Sequence, residues 1–236
     1  MTTPSDNTPT AIIEDAMLEA GLLQEGATPS SEQYARNMRR LRDIINFYQT
    51  QGVKLFLLSD QSVTLTEGDD TYTIMSGGDV NIDRPMQVIQ AYWLSSTNIR
   101  RDLSLISWNE YLRLGQIGEE GSINSIFVNK QYNQFIIKTW PEPTSTDATG
   151  TLHLLIRKQA ANPLNLTTTI EFPPEWRIFL HWELARQLSH GQPEGVRAWC
   201  AAQAETYRQA LEGFDVEDVG VSFQVDMQGY PSGDFA

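Results

Sequence analysis

The feature that most constrains this chain is a change of hydrophobic period: apolar residues recur every three to four positions near both ends and every second position between them. In the first helical stretch, Tyr34, Met38, Leu41, Ile45 and Tyr48 alternate steps of four and three, and Ile44 widens the stripe. Such spacing predicts a helix with one buried face. Ser30 and Gln33 supply a capping box at its start and Gly52 a stop. Ahead of it, Ala11 to Ala20 reads as a shorter helix with Thr10 as N-cap, Glu14 and Asp15 near its positive end, and Gly21 as the left-handed residue that closes it. Residues 1–9 carry too little apolar surface to offset their ordering entropy and read as a loose arm.

The period then shortens to two. Val53 to Leu58 is a short apolar run, and Val63–Leu65 with Tyr72–Ile74 flank the polar turn Glu67-Gly68-Asp69-Asp70, which predicts a hairpin. Residues 76–85, rich in Gly, Asp and Asn, predict a structured loop. Met86 to Ser95 predicts a central strand, and Asp102 to Ile106 the next one. Ser107 and Glu110 cap a brief helix over 107–115. Ser125–Val128 and Gln134–Lys138 predict a second hairpin, ended by the prolines of Trp140-Pro141-Glu142-Pro143, and Thr151–Arg157 a further strand.

The helical period returns at Pro173-Pro174. Trp176, Phe179, Leu180, Leu184 and Leu188 form a stripe that stops at Gly191. From Pro193 or Glu194, Val196, Trp199, Cys200, Gln203, Ala204, Tyr207 and Leu211 line one side of a last helix ending at Gly213. The expected fold is α+β: residues 10–52 and 173–213 pack as one mainly helical layer or bundle, an antiparallel β-subdomain over 53–160 is inserted into it, and residues 214–236 extend as a tail. In that tail Val219, Val221, Phe223 and Val225 alternate with polar or small residues, strand periodicity with no evident partner of its own. It reads either as a strand added to a neighbouring subunit, or as one that returns to its own sheet or stays disordered.

Chemical motifs are scarce. His153, His181 and His190 stand outside any HExxH spacing, the single Cys200 excludes an internal disulfide framework, and Walker, GxGxxG and GxSxG sequences are absent. No catalytic residue, cofactor or metal is expected. Glu142, Glu171, Glu175 and Glu183 are the carboxylates from which a glycoside-hydrolysing pair would have to come. The net charge of −13 argues against a surface that clamps nucleic acid, which needs local positive charge. No run approaches the roughly 18 apolar residues of a membrane span, and MTTPSDNTPT has neither the basic nor the apolar part of a secretion leader, so a soluble protein is expected.

Six segments in order carry a resemblance: AIIEDAMLEAGLLQEGATPSSEQYARNMRRLRDIINFYQTQGVKLF, the strand pair ending TYTI, GGDVNIDRP, SWNEYLRL, WPEP, and FPPEWRIFLHWELARQLSHG. Together they run from Ala11 to Gly191, and the chain resembles the tail accessory factor, or head-to-tail adaptor (packaged DNA stabilization), family of short-tailed phages. The resemblance departs at the loop around Gly118 to Asn124 and after Phe214. It implies a virion protein of the tail or neck region, made in the host cytoplasm, with no membrane association and no enzymatic role. Its partners would be a dodecameric portal, copies of itself in a ring of about twelve, and a downstream tail nozzle or tail-tube protein, with packaged double-stranded DNA passing through the lumen unbound; an acidic lumen repels phosphate. Arg36, Arg39 and Arg40 on the second helix are then expected to form ion pairs across the subunit boundary, and Phe214, Val219, Val221, Phe223, Val225, Tyr230 and Phe235 are expected to make portal or subunit contacts. Two other classes compete: a virion-associated peptidoglycan-degrading enzyme, and a neck or head-completion protein of a long-tailed phage.

Overall fold

The computed structural model describes residues 7–51, 57–116 and 118–214. Four helices form one layer: α1 (Pro9–Glu19), α2 (Ser31–Tyr48), α4 (Trp176–Leu188) and α5 (Glu194–Phe214). The single-turn α3 (Trp108–Tyr111) belongs to the strand-rich half.

Helix α1 starts earlier than its sequence suggests. Thr8, not Thr10, is the N-cap: its side chain accepts from the Ala11 N–H, and Pro9 occupies the first turn. A proline there loses no hydrogen bond and already has a helical φ, which favours Thr8-Pro9 over Thr10 as the entry. The Thr10 hydroxyl instead donates to the Leu166 carbonyl at 2.7 Å. Asn7 is buried, donating from its amide to the carbonyls of Ile170 and Phe172, so the loose-arm reading fails for residues 7–9. At the other end Gly21, at φ +68°, donates to the Leu18 carbonyl while Leu22 donates to that of Met17, the paired bonds of a Schellman cap. Helix α2 carries the reciprocal Ser30–Gln33 bonds and buries Met38, Leu41, Ile44, Ile45 and Tyr48. It closes at Tyr48; Gly52 and residues 53–56 lie outside the described residues.

Helix α4 is less one-sided than a stripe. Nine of its thirteen residues are buried, among them His181 and Glu183, because α1, α2 and α5 all pack on it. Helix α5 buries Cys200, Ala204 and Leu211 but leaves Trp199 55% exposed, against the expectation of a continuous apolar side. Leu57, Ala160, Ile170 and Phe172, from the segments that leave and re-enter the sheet, complete the helical core.

The sheet has eight strands in the order β1-β10-β4-β5-β7-β8-β2-β3: β1 (Leu58–Thr64), β2 (Thr71–Met75), β3 (Val80–Asn81), β4 (Gln87–Leu94), β5 (Arg100–Ile106), β7 (Ser125–Lys130), β8 (Phe135–Trp140) and β10 (Thr151–Arg157). A separate two-stranded ladder joins β6 (Glu120–Gly121) to β9 (Glu142–Pro143). Strand β5 turns the corner, pairing antiparallel with β4 through Leu103 and then parallel with β7 from Ser104. β3 returns beside β1, so the sheet almost closes on itself around a second apolar core that includes Ile74, Ile126, Phe135, Ile137, Leu152 and Leu154.

Two expectations are corrected here. The fold is α+β, but a large mixed sheet dominates it rather than a bundle with an antiparallel insert: β5–β7, β2–β3 and β6–β9 pair in parallel. The β1–β2 hairpin does not exist either. β1 pairs along its whole length with β10, and β2 pairs with β8. The turn between them is real, with Tyr72 Oη donating to the Asp69 carbonyl at 2.8 Å and accepting from Thr66 N–H. Its two strands diverge to opposite ends of the sheet, so the turn spans the seam where the sheet nearly closes. β4 is central and β7–β8 is a hairpin, as their sequences suggest. The 76–85 loop holds the two-residue β3, and α3 has its Ser107–Glu110 capping box but ends after one turn.

Candidate functional site

Three surfaces collect groups able to bind or react. The first lies on α2. Residues 163–166 run beside this helix, clamped by Arg42, whose Nε and Nη2 both donate to the Pro163 carbonyl at 2.9 and 2.7 Å. Asn165 Oδ1 accepts from the N–H groups of Thr167 and Thr168, which fixes the turn beyond. Between helix and loop is an apolar groove of about 340 Å³ lined by Ser31, Tyr34, Ala35, Met38, Leu164 and Leu166. Leu164 is 84% exposed. The Tyr34 hydroxyl donates to the Glu14 carboxylate; burial first, and then that bond, push its pKa up to about 12. Arg36 and Arg39 are exposed and Arg40 half-buried on the outer face of α2, and none has a carboxylate within 4.0 Å among the described residues.

The second surface is a polar cleft of about 400 Å³ where the sheet meets the 158–162 segment, with Asp83, Lys158, Asn162 and Glu171 on its walls. Glu171 accepts from the Ala161 N–H at 3.1 Å. The other carboxylates singled out for hydrolysis lie on separate elements: Glu142 in β9, Glu175 at the start of α4, and Glu183 buried in α4 and held by Arg186 Nε at 2.8 Å.

The third surface is the outer face of β1, β10 and β4. Asp60 bridges His153 Nδ1 at 3.2 Å and the Tyr92 hydroxyl at 2.6 Å, His153 Nε2 faces the Thr151 hydroxyl at 3.1 Å, and the rings of Tyr92 and His153 stack. This is a hydroxyl–imidazole–carboxylate order, although the carboxylate is shared with a phenol and side by side in a ladder, an arrangement that also suits cross-strand stabilisation. Period-two alternation in TLHLLIR places Thr151 and His153 on one face. Asp60 and Tyr92 join them only through strand register, which local sequence does not carry.

The interface residues expected from sequence divide accordingly. Arg36, Arg39 and Arg40 lie on the outer face of α2, with Arg39, one turn after Ala35, nearest the groove. Phe214 is the last residue of α5, and Val219, Val221, Phe223, Val225, Tyr230 and Phe235 lie outside the described residues. Nothing local in the chain signals the groove, since Leu164 and Leu166 are far from α2 in sequence. Nor did it show which apolar side chains stay uncovered: Phe47 and Trp199 on the helices, and Trp108, Leu112 and Tyr132 on the sheet side, each more than half exposed. Among the described residues, no group of three or more His, Cys, Asp or Glu is placed to hold a metal ion, and no helix is long and apolar enough to cross a membrane.

His181 gives this layer a pH dependence. It is 8% exposed beside Trp182, and burial lowers its pKa, an effect that Asp15 opposes and the Arg177 charge reinforces, against a smaller opposing backbone hydrogen bond at Arg177. The folded state therefore releases its proton more readily than the unfolded chain, whose value is about 6.5. Stability is complete above that value and falls as the pH drops toward the lower folded value. Thermal midpoints compared at pH 7.5 and 5.5 should fall more for the native chain than for His181→Gln; equal falls would locate the acid sensitivity elsewhere.

No protein-family model matches the chain, and no curated protein matches it. Among solved structures, a chain of the neck of an empty gene transfer agent particle, computed with C6 symmetry, is similar at TM-score 0.30 and 12% identity, over 94% of this chain and 96% of that one. A chain of the virion of a native gene transfer agent particle is similar at TM-score 0.31, with the same identity and coverage.

Proposed function

We propose that this chain is a structural adaptor at the head-to-tail junction of a short-tailed phage. Copies assemble as a ring on the dodecameric portal, close the channel of packaged DNA and offer the attachment site for a tail nozzle or tail-tube protein. The order of six family-like segments carries this reading. They fall on α1 and α2, on the end of β1 and β2, on the connection through β3 to β4, on α3, on the β8–β9 corner, and on α4. They include three of the four helices of the helical layer.

Surface chemistry supports the same role. An adaptor needs two faces for different partners, and large apolar side chains stay exposed on both halves of the molecule, Trp199 and Phe47 on one and Trp108 and Leu112 on the other. The acidic balance of −13, repeated around a ring, keeps phosphate from adhering to the wall it slides along. On this reading the chain works without cofactor or catalysis.

Native mass spectrometry of the purified protein, alone and mixed with the portal ring of the same phage, tests the proposal. The expected result is a species near 26.7 kDa alone and addition of about a dozen copies to the portal. A chain that ignores the portal overturns it. Capture of a tail-tube protein of a long-tailed phage beneath the ring would move the same job to that architecture.

A further inference from the structure

We propose that the apolar groove between α2 and the 163–166 segment receives residues 215–225 of a neighbouring copy, with Arg39 of α2 pairing with a carboxylate of that segment. The inference rests on the ring-assembly reading and names the contact that would join one subunit to the next.

The groove is built before anything enters it. Arg42 holds its loop wall through two backbone carbonyls, Thr10 ties Leu166 to α1, and the Tyr34–Glu14 bond fixes its helical wall. A preformed apolar slot loses little entropy on being filled. Beside it stands a cation with no carboxylate within 4.0 Å among the described residues: Arg39 follows the groove-lining Ala35 by one helical turn, while Arg36 and Arg40 lie further round the outer face. An occupant must therefore be apolar along part of its length and acidic along another.

Residues 215–225, DVEDVGVSFQV, have that composition. Asp215, Glu217 and Asp218 come first, then Val219, Val221, Phe223 and Val225 at alternate positions, so an extended segment presents its apolar side chains on one side. These carboxylates find no favourable place at their own helix end. They follow the C-terminus of α5, where the helix dipole is negative. The cation there, Arg208, is already held between Glu205, at 2.6 and 2.9 Å, and Glu212, at 2.8 Å. Arg208 pulls the Glu205 pKa down to about 2, so that pair stays charged and occupied. At roughly 3.3 Å per extended residue, the segment spans on the order of 35 Å, enough to cross to an adjacent subunit.

The test uses full-length chains carrying one substitution each, Ala35→Cys or Val221→Cys, mixed and assembled on the portal ring under mild oxidation. The native Cys200 is buried and serves as the unreacting control. A covalent dimer containing one copy of each variant is expected, reduced about tenfold by Arg39→Glu and competed away by a synthetic peptide of residues 215–225 added before oxidation. Assembly on the portal without the mixed dimer overturns the inference and leaves the adaptor reading standing. A chain carrying both cysteines that closes only on itself, as a monomer, overturns it in favour of the chain's own tail. Failure to join the portal at all overturns both.

Discussion

Phe179→Ala is expected to destabilise the protein by about 4 kcal/mol. The side chain is fully buried at the centre of the helical layer, with its ring edge-on to Tyr48 of α2 at 4.6 Å and to Trp176 at 5.8 Å between centroids. Truncation removes the transfer free energy of a whole aromatic ring and leaves a cavity. Those neighbours cannot collapse into it, because Tyr48 is held on the facing helix α2 and Trp176 in the first turn of α4 itself, both rigid. The aromatic contacts add a further fraction, since edge-to-face pairs are worth about 0.5–1.5 kcal/mol beyond their area. Urea denaturation of the native chain and the variant measures the difference. A loss below about 1 kcal/mol would mean that α4 is not the helix around which the others pack.

Asp147→Ala is expected to cost about 3 kcal/mol and to free the loop that crosses from β9 to β10. Asp147 is 1% exposed. One carboxylate oxygen accepts from Arg101 Nη2 at 2.6 Å, and the other accepts from the buried Ile123 N–H at 3.1 Å and from the Thr144 hydroxyl. Its backbone carbonyl accepts from Trp93 Nε1 at 2.9 Å, and the Arg101 guanidinium lies over the Trp93 ring at 4.6 Å. Removing the carboxylate strands a buried donor and a guanidinium. Arg101 keeps about a third of its side chain in water, so the expected loss sits at the lower end of the range for broken buried pairs. Gly150 shows how tightly the loop is seated: a Cβ there would come within 2.5 Å of the Leu94 carbonyl and 2.6 Å of Trp93. Asp147→Asn, which keeps an acceptor for Ile123, should recover about half of the loss. Thermal unfolding together with limited proteolysis over residues 144–150 checks both variants, and unchanged cleavage in Asp147→Ala would rule out the carboxylate as the latch.

The two sites differ in how far the sequence reveals them. Phe179 stands in an evident helical stripe, so its burial follows from spacing. What spacing does not show is that α4 is enclosed on nearly every side, because the helices that cover it are contributed by both ends of the chain. Asp147 reads locally as one more polar residue in a Thr-rich loop. Its importance arises from Arg101, Ile123 and Trp93, which three other segments bring to it. The groove divides in the same way: Arg36, Arg39 and Arg40 are legible as the outer face of α2, whereas the apolar slot on its flank requires Leu164 and Leu166, well over a hundred residues further on.

The sequence by itself determined whatever depends on neighbours within a turn or two: the Ser30–Gln33 and Ser107–Glu110 capping boxes, the Gly21 stop, the β7–β8 hairpin and the apolar face of α2. Caps, turns and side-chain periodicity are short-range, and their energetics are written within a few consecutive residues. Tertiary structure alone decided that β1 leaves β2 to pair with β10 and that β5 joins two parts of one mixed sheet. Strand partners compete over long separations, and the winning register is the one that buries both inner faces of the almost closed sheet at once, a condition that no local window of sequence contains.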